Sequence, residues 1–331
     1  MEITPLVWGL TIAAILSLLA FDFFAHVRKA HEPTLREAAI WSSVYVGLAL
    51  LFGLVFLLFG DTAHAVEYYA GYFTEKALSV DNLFVFLVIL SSFNVPRKYQ
   101  QKVLLFGIVF ALIARTAFIM LGAGLIHLFS DVFYLFGLIL LVTAANMLRK
   151  ELTHNNAPDA DNAVVRLARR WLRTSDDYDG DKLTTRVNGH RMLTPMLLVM
   201  VAIGGTDILF ALDSIPAIYG LTREPYIVFT ATAFSLMGLR QLYFLLDGLL
   251  ERLIYLSYGL IVILGFIAVK LILHALHENN LPFINGGQNV PVPEIPTGVS
   301  LIVILVVLSA TVVASLWHSR SAAAESPDLR R

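Results

Sequence analysis

Residues 66–92 read VEYYAGYFTEKALSVDNLFVFLVILSS. The run is long enough to cross a bilayer, which takes roughly 20 mostly apolar residues. Yet it carries Glu75, Lys76 and Asp81 in its interior. An acid at mid-membrane costs about 2.5–3.5 kcal/mol on insertion scales, so such residues are kept only with partners or for a function. A second run, TPMLLVMVAIGGTDILFALDSIPAIY at 194–219, repeats the pattern. Glu75 and Asp81 have five residues between them and are followed by Asn82; Asp207 and Asp213 have five between them and are followed by Ser214. The next apolar run in each half has a central arginine, Arg115-Thr116-Ala117-Phe118 and Arg240-Gln241-Leu242-Tyr243. The run after that opens on an aromatic and a glycine, Phe136-Gly137 and Tyr258-Gly259. Three matches in one order make an internal repeat.

The whole chain has the composition these runs imply. It is 57% apolar and 15% charged, where soluble proteins carry about 25% charge, and its mean hydropathy is +0.73. We read nine spans, at 5–25, 38–59, 66–92, 103–126, 131–148, 194–219, 225–248, 253–273 and 299–317. The opening MEITPLVWGL has no basic residue, so it is read as the first span and not as a signal peptide. Of the 24 Lys and Arg, 19 fall on one side of this arrangement and only Arg223 on the other. The positive-inside rule then puts the N-terminus outside and the C-terminus in the cytoplasm, which for a bacterial protein means the cell (inner) membrane. Each half of the repeat has three spans, and an odd number makes the second copy enter from the opposite side. The expected fold is all-α, a polytopic membrane helical bundle of about nine spans with two inverted three-helix repeats. Peripheral spans occupy 1–65, the first repeat 66–148, a cytoplasmic loop 149–193, the second repeat 194–276, and an extracellular loop, ninth span and tail 277–331.

Four acids left unpaired at depth would cost on the order of 10 kcal/mol. Lys76, Arg115 and Arg240 are the candidate charge-balancing residues, leaving one negative charge that a cation or protons could offset. Buried acid–arginine pairs that merely lock helices are the bland alternative. On a regular helix Glu75 and Asp81 point about 120° apart, Glu75 shares a face with Asn82, and Asp207 with Ser214. The metal-site candidates are therefore Glu75, Asp81, Asp207, Asp213, Asn82 and Ser214. Bringing all four acids together requires several surrounding spans or local unwinding, for which Pro216 and Gly204-Gly205 are the signals. Inversion predicts Glu75 level with Asp213 and Asp81 level with Asp207, the layers about 9 Å apart. An oxygen-only set suits Mn²⁺, Mg²⁺ or Ca²⁺ over Zn²⁺ or Cu⁺, and buried carboxylates can couple metal to protons. Asp22 and Glu67 sit near span ends and are expected to be solvated; Lys270 is expected to snorkel. His127, His274 and His277 lie at extracellular ends and are expected to be interface residues.

The chain has no cysteine, which excludes disulfides, thiolate metal sites and Cys nucleophiles. Its net charge of −1 argues against nucleic acid as a partner. No organic cofactor is implied. In the loop, 161–173 (DNAVVRLARRWLR) fits a short amphipathic helix, and KLTTRVNGHRML at 182–193 fits a hairpin turning at Asn188-Gly189. DYDGDK at 177–182 is a polar turn; Lys182 and Asn188 stand where a calcium loop needs Gly and Glu.

The strings EKALSVDN at 75–82 and FALDSIPAI at 210–218 resemble the TerC family of bacterial membrane proteins, including its Alx-type members. So do PLVWG at 5–9, DGDK at 179–182, RVNGHR at 186–191, TPMLLV at 194–199, GLRQLYFLL at 238–246 and YGLIVILGFIAVK at 258–270. The resemblance implies a fold related to the LysE-type exporters and Mn²⁺ export against protons, with associations to tellurium resistance and alkaline pH. It carries the family's acids onto Glu75, Asp81, Asp207 and Asp213. Similar proteins often have Glu three residues before the first acid of the second motif; here that position is Gly204. Nothing in these residues suggests a tellurite oxyanion site. A non-transporting membrane partner that helps other proteins assemble or receive metal is the rival reading, motivated by 149–193. An enzyme is not expected, since the Gly-Leu-Gly-Asp type of intramembrane protease motif is absent.

Overall fold

The structure is a computed structural model that describes residues 3–27, 32–59, 61–128, 131–153, 178–187, 190–246, 255–279, 281–282 and 284–325. The predicted amphipathic helix at 161–173 and the Asn188-Gly189 turn lie outside these residues. The elements are α1 (Pro5–Asp22, running on into a π-helical turn, Phe23–Val27), α2 (Leu35–Phe59), α3 (Thr62–Ser92), α4 (Arg97–Leu128) and α5 (Val132–Leu152). They continue with β1 (Thr184–Val187), β2 (His190–Leu193), α6 (Pro195–Tyr219), α7 (Pro225–Leu236), α8 (Leu239–Leu246), α9 (Leu256–His277) and α10 (Thr297–Glu325). The only sheet among the described residues is the antiparallel hairpin β1–β2, with Thr184 opposite Leu193 and Val187 opposite His190. Each of the nine predicted spans is helical over most of its described residues, so the fold is the expected all-α membrane bundle.

Eight spans are long and apolar enough to cross a membrane by length and composition, the pair α7–α8 counting as one. The ninth, α3, is not among them: its apolar half carries three charged residues, Glu75, Lys76 and Asp81. Its 31 residues nonetheless exceed what a bilayer core requires. Local chemistry fixes the starts. Asp61 caps α3 by accepting from the His64 backbone N–H at 2.8 Å, a bond that also holds its carboxyl below the usual range. Pro195 and Pro225 occupy the first turns of α6 and α7, where no intrahelical N–H bond is lost.

The helices pack in a pattern that exchange of the two halves preserves. α3 makes its most extensive contacts with α7, α4 makes its own with α6, and α5 pairs with α9. Direction confirms the inversion. A Cβ on Gly107 would meet Ile203 and one on Gly204 would meet Phe110, while the Tyr219 hydroxyl donates to the Ile119 carbonyl, so α4 and α6 run parallel. Gly71 lies against Ala231, and Lys76 donates to the carbonyls of Ser235 and Met237, so α3 and α7 also run parallel. α5 and α9 are antiparallel, with Phe133 at His274 and Gly137 at Ala268 and Ile272. Of the two repeat glycines, Gly137 thus serves the α5–α9 contact, whereas Gly259 faces Thr311 on α10. Small residues at these crossings let backbones approach, the dominant packing device where lipid removes the hydrophobic drive.

Local unwinding, one of two alternatives and signalled in the sixth span, occurs in the seventh. α6 stays helical through Pro216 to Tyr219. The seventh span stops at Leu236, passes through extended Met237 (ψ 137°) and Gly238 (φ 76°), and resumes as α8. The freed carbonyls of Ser235 and Met237 are taken by Lys76 Nζ at 2.9 and 3.4 Å, a lysine at a helix C-terminus where the dipole favours it. Gly238 permits the break. An added Cβ would suffer both the positive φ and a 2.8 Å approach to Tyr45 Cβ. Gly238→Ala is therefore expected to destabilise the protein by about 1–2 kcal/mol or more, read as a lower unfolding midpoint of the purified chain in detergent.

Candidate functional site: buried carboxylates at the repeat interface

α3 and α6 cross antiparallel at the centre of the bundle. The contact of Gly71 with Ile218 sets the register. Stepping one turn along each helix puts Glu75 opposite Ser214, next to Asp213. That is within one residue of the level expected from inversion.

Glu75 and Asp207 are buried at 1% and 2% exposure, and Asp213 is half-buried. Arg115, fully buried on α4, links the two levels: its Nη1 pairs with Glu75 Oε1, and its Nη2 and Nε reach Asp207 Oδ1 and Oδ2 at 3.3 and 3.5 Å. Asp213 makes no ion pair among the described residues. Asn82 and Ser214 are buried on α3 and α6. Asp81 lies on α3, but its side chain is outside the described residues. With all groups ionised, Glu75, Asp207 and Asp213 against Arg115 and Lys76 leave one negative charge. Among the described residues no three carboxylate or imidazole groups are gathered closely enough to hold a metal ion. The acids are instead spread over two levels with a guanidinium between them.

Two of the expected balancing residues are engaged elsewhere. Lys76 bonds to the backbone carbonyls of the α7 break and not to a carboxylate. Arg240 points away from the central acids because the Gly238 break re-aims the start of α8. Its Nη2 donates to Asp22 Oδ1 at 2.7 Å and its Nη1 to Gln101 Oε1. Asp22 Oδ1 also accepts from Gln241 Nε2 at 2.8 Å and from the Tyr45 hydroxyl at 3.0 Å. Asp22 is thus buried at 5% exposure, not solvated as its place at a span end suggested. Its place at a span end gave no signal of this in the sequence. Asp22→Asn keeps the shape and removes the charge, leaving Arg240 buried without a counter-ion. About 3 kcal/mol of stability should be lost, measured by thermal unfolding against Arg240→Gln and the double variant, which should lose less than the sum.

Gly204, where the resemblance to the family would often put an acid, is a packing position in this chain. A Cβ there would lie 2.9 Å from Phe110 Cδ1. The aromatic fills the space the acid would need.

At the far end of α3 a cavity of about 490 Å³ opens between α3, α6 and α9, lined by Glu67, Thr222, Arg223, Lys270, His274 and Glu294. Glu67 is half-buried and accepts from the Thr222 hydroxyl at 2.6 Å, so it too is bound and not simply solvated. Lys270 donates to Ser300 Oγ at 3.2 Å. Arg223 bonds to His274 and Glu278, and His274 lies 3.4 Å from Glu294. Glu67 is about 12 Å along α3 from Glu75 at helical rise. At the opposite end the cleft beside Arg240, Gln241 and Gln101 has only about 10 Å³. On the same side, the hairpin is docked by Lys102 Nζ on Asp181 at 2.7 Å and by the Tyr178 hydroxyl on the Phe93 carbonyl at 2.7 Å.

The sequence profile of the integral membrane protein TerC family matches residues 60–323. An uncharacterized membrane protein of Mycobacterium tuberculosis is 60% identical over 327 residues, covering 98% of this chain and 82% of that protein. An uncharacterized membrane protein of Myxococcus xanthus is 37% identical over 326 residues, covering 98% of this chain and 96% of its own. The putative membrane-bound redox modulator Alx of Escherichia coli is 37% identical over 324 residues, covering 95% of each chain. No solved structure matches.

Proposed function

Since the chain belongs to the integral membrane protein TerC family, and its central acids lie where two inverted halves meet, we propose that it carries a divalent metal cation across the bilayer. Mn²⁺ is the ion we favour, exported in exchange for protons; Mg²⁺ and Ca²⁺ fit the same oxygen chemistry. The observation that carries this reading is the burial of Glu75 and Asp207 at the α3–α6 crossing on a shared Arg115, with half-buried Asp213 beside them. A helix-locking pair alone needs one acid and one base. Here two acids share one guanidinium and a third makes no ion pair among the described residues. Arg115 occupies the place of a cation, so an entering metal ion would compete with it for Glu75 and Asp207, and protons could take the carboxylates when the metal leaves.

The two ends differ as alternating access requires. The Glu67 cavity is open, and the Asp22–Arg240 cluster closes the other end. With the basic residues taken as cytoplasmic, the N-terminus is outside, the chain sits in the bacterial inner membrane, and the cavity faces outward. The protein acts in this reading as a transporter and not an enzyme. The relatives' name points to redox modulation. Without cysteine this chain has no thiol chemistry of its own for that, and an effect through metal supply would be indirect. The docked hairpin favours a second reading, a membrane partner that aids assembly or metalation of other proteins.

The test is Mn²⁺ flux into proteoliposomes under an imposed pH gradient. Flux that depends on the gradient supports export against protons. Absence of flux from correctly folded, reconstituted protein rejects transport and leaves the partner reading.

A further inference from the structure

Three helices meet at Gly71. A Cβ there would lie 3.2 Å from Ile218 Cγ1 on α6 and 3.4 Å from Ala231 Cβ on α7. Four residues further into the bundle on each helix, forward on α3 and α7 and backward on α6, stand Glu75, Ser235 and Ser214. Four residues return a helix to nearly the same face, so the three side chains project into one junction at one level. All are buried, at 1%, 0% and 2% exposure.

Neither serine hydroxyl has a hydrogen-bond partner among the described residues, and the same holds for Ser79, one turn on from Glu75, and for Thr232, one turn before Ser235. Ser42 and Thr74 are also buried without a partner among the described residues, but other hydroxyls in these spans are engaged. Thr116, Thr206 and Thr230 donate to the carbonyl four residues back at 2.6, 2.7 and 2.8 Å, the usual resting place of a buried helical hydroxyl. The hydroxyls beside Glu75 leave both their donor and their lone pairs uncommitted, in a region where an unmet polar group is costly.

We propose that α7 is part of the ion path and that Ser235 supplies a neutral oxygen ligand, with Ser214 and the Glu75 carboxylate, to a divalent cation that has shed water. The proposal rests on the transport reading above and adds a third helix to it. It answers the dispersal of the acids: among the described residues the carboxylates do not form a cage by themselves, and hydroxyls complete an oxygen shell without adding negative charge to a core that already carries more acids than Arg115 can pair. Ser79 and Thr232 extend the row of free oxygens above and below. Lys76, bonded to the Ser235 carbonyl, anchors the residue at the end of α7.

The test is binding of Mn²⁺ to the purified full-length chain in detergent, followed by loss of the free-ion electron spin resonance signal, with Cd²⁺ as competitor. Ser235→Ala is expected to weaken Mn²⁺ binding about tenfold, the scale of one charge-assisted bond. Ser235→Cys replaces a hard ligand by a soft one in a chain with no other thiol and is expected to shift preference about tenfold from Mn²⁺ toward Cd²⁺. Thr230→Val, on the same helix and equally buried, should leave both ions unaffected. If the wild type binds Mn²⁺ and the two Ser235 variants keep its affinity and its Cd²⁺ preference, α7 is not a ligand helix and the carboxylate reading stands alone. A loss in Ser235→Ala matched by Thr230→Val, with no Cd²⁺ shift in Ser235→Cys, likewise overturns it. If the wild type binds no divalent ion, both readings fall together.

Discussion

Asp213→Asn is expected to reduce divalent-cation flux by about 100-fold or more while leaving the fold intact. Outer-shell partners of metal sites already cost about 10–100-fold when removed, and in the proposed transport path Asp213 would be a direct ligand. It is the clean position for the test because of what it lacks. Glu75 and Asp207 are tied to Arg115, so removing either disturbs a buried ion pair as well as a ligand. Asp213 makes no ion pair among the described residues and is only half-buried, so an isosteric amide removes charge and little else. Flux should be measured in proteoliposomes at matched protein content, with the unfolding midpoint as the control. Wild-type flux from Asp213→Asn would remove the carboxylate path as an explanation of transport.

Arg115→Met should have the largest effect on stability. It leaves Glu75 and Asp207 buried at 1% and 2% exposure with no guanidinium between them, and breaking a buried pair from one side costs about 3–5 kcal/mol. The purified variant should unfold at a much lower temperature or fail to accumulate. Adding Glu75→Gln and Asp207→Asn to Arg115→Met should restore much of the loss, since replacing every charge of a buried network is often neutral. The triple variant should still be inactive in transport. If it unfolds as readily as Arg115→Met alone, the arginine matters through its packing and not its charge.

Several features of the molecule were legible in advance because they are local. Helical spans follow from runs of apolar residues, and a helix start follows from a cap such as Asp61 or a first-turn proline such as Pro225. The inversion followed from counting, since three spans per half reverse direction whatever their packing. The level of Glu75 with Asp213 followed from that reversal plus the helical rise, and the contact of Gly71 with Ile218 agrees within one residue. The hairpin strands at 184–187 and 190–193 came from turn chemistry. Pro216 misled, because a proline near a helix end removes one bond without unwinding the turn, and α6 runs on for three more residues. Gly238, by contrast, has no flanking proline, and its positive φ is visible only where the chain turns.

The partners of the charges were beyond the sequence. By residue type it pointed to acids and bases within apolar spans, in two matching sets with one arginine each, though it missed the burial of Asp22. That symmetry suggested Arg115 and Arg240 would share one role. The tertiary structure separates them. Arg115, on an unbroken helix running beside α6, reaches both central acids. Arg240, re-aimed by the break at Met237-Gly238, pairs instead with Asp22, 218 residues away. Ion pairing depends on the azimuth and height of side chains on helices distant in sequence, and a single glycine with positive φ rotates everything after it. Periodicity reports the face of one helix; only packing decides which faces meet.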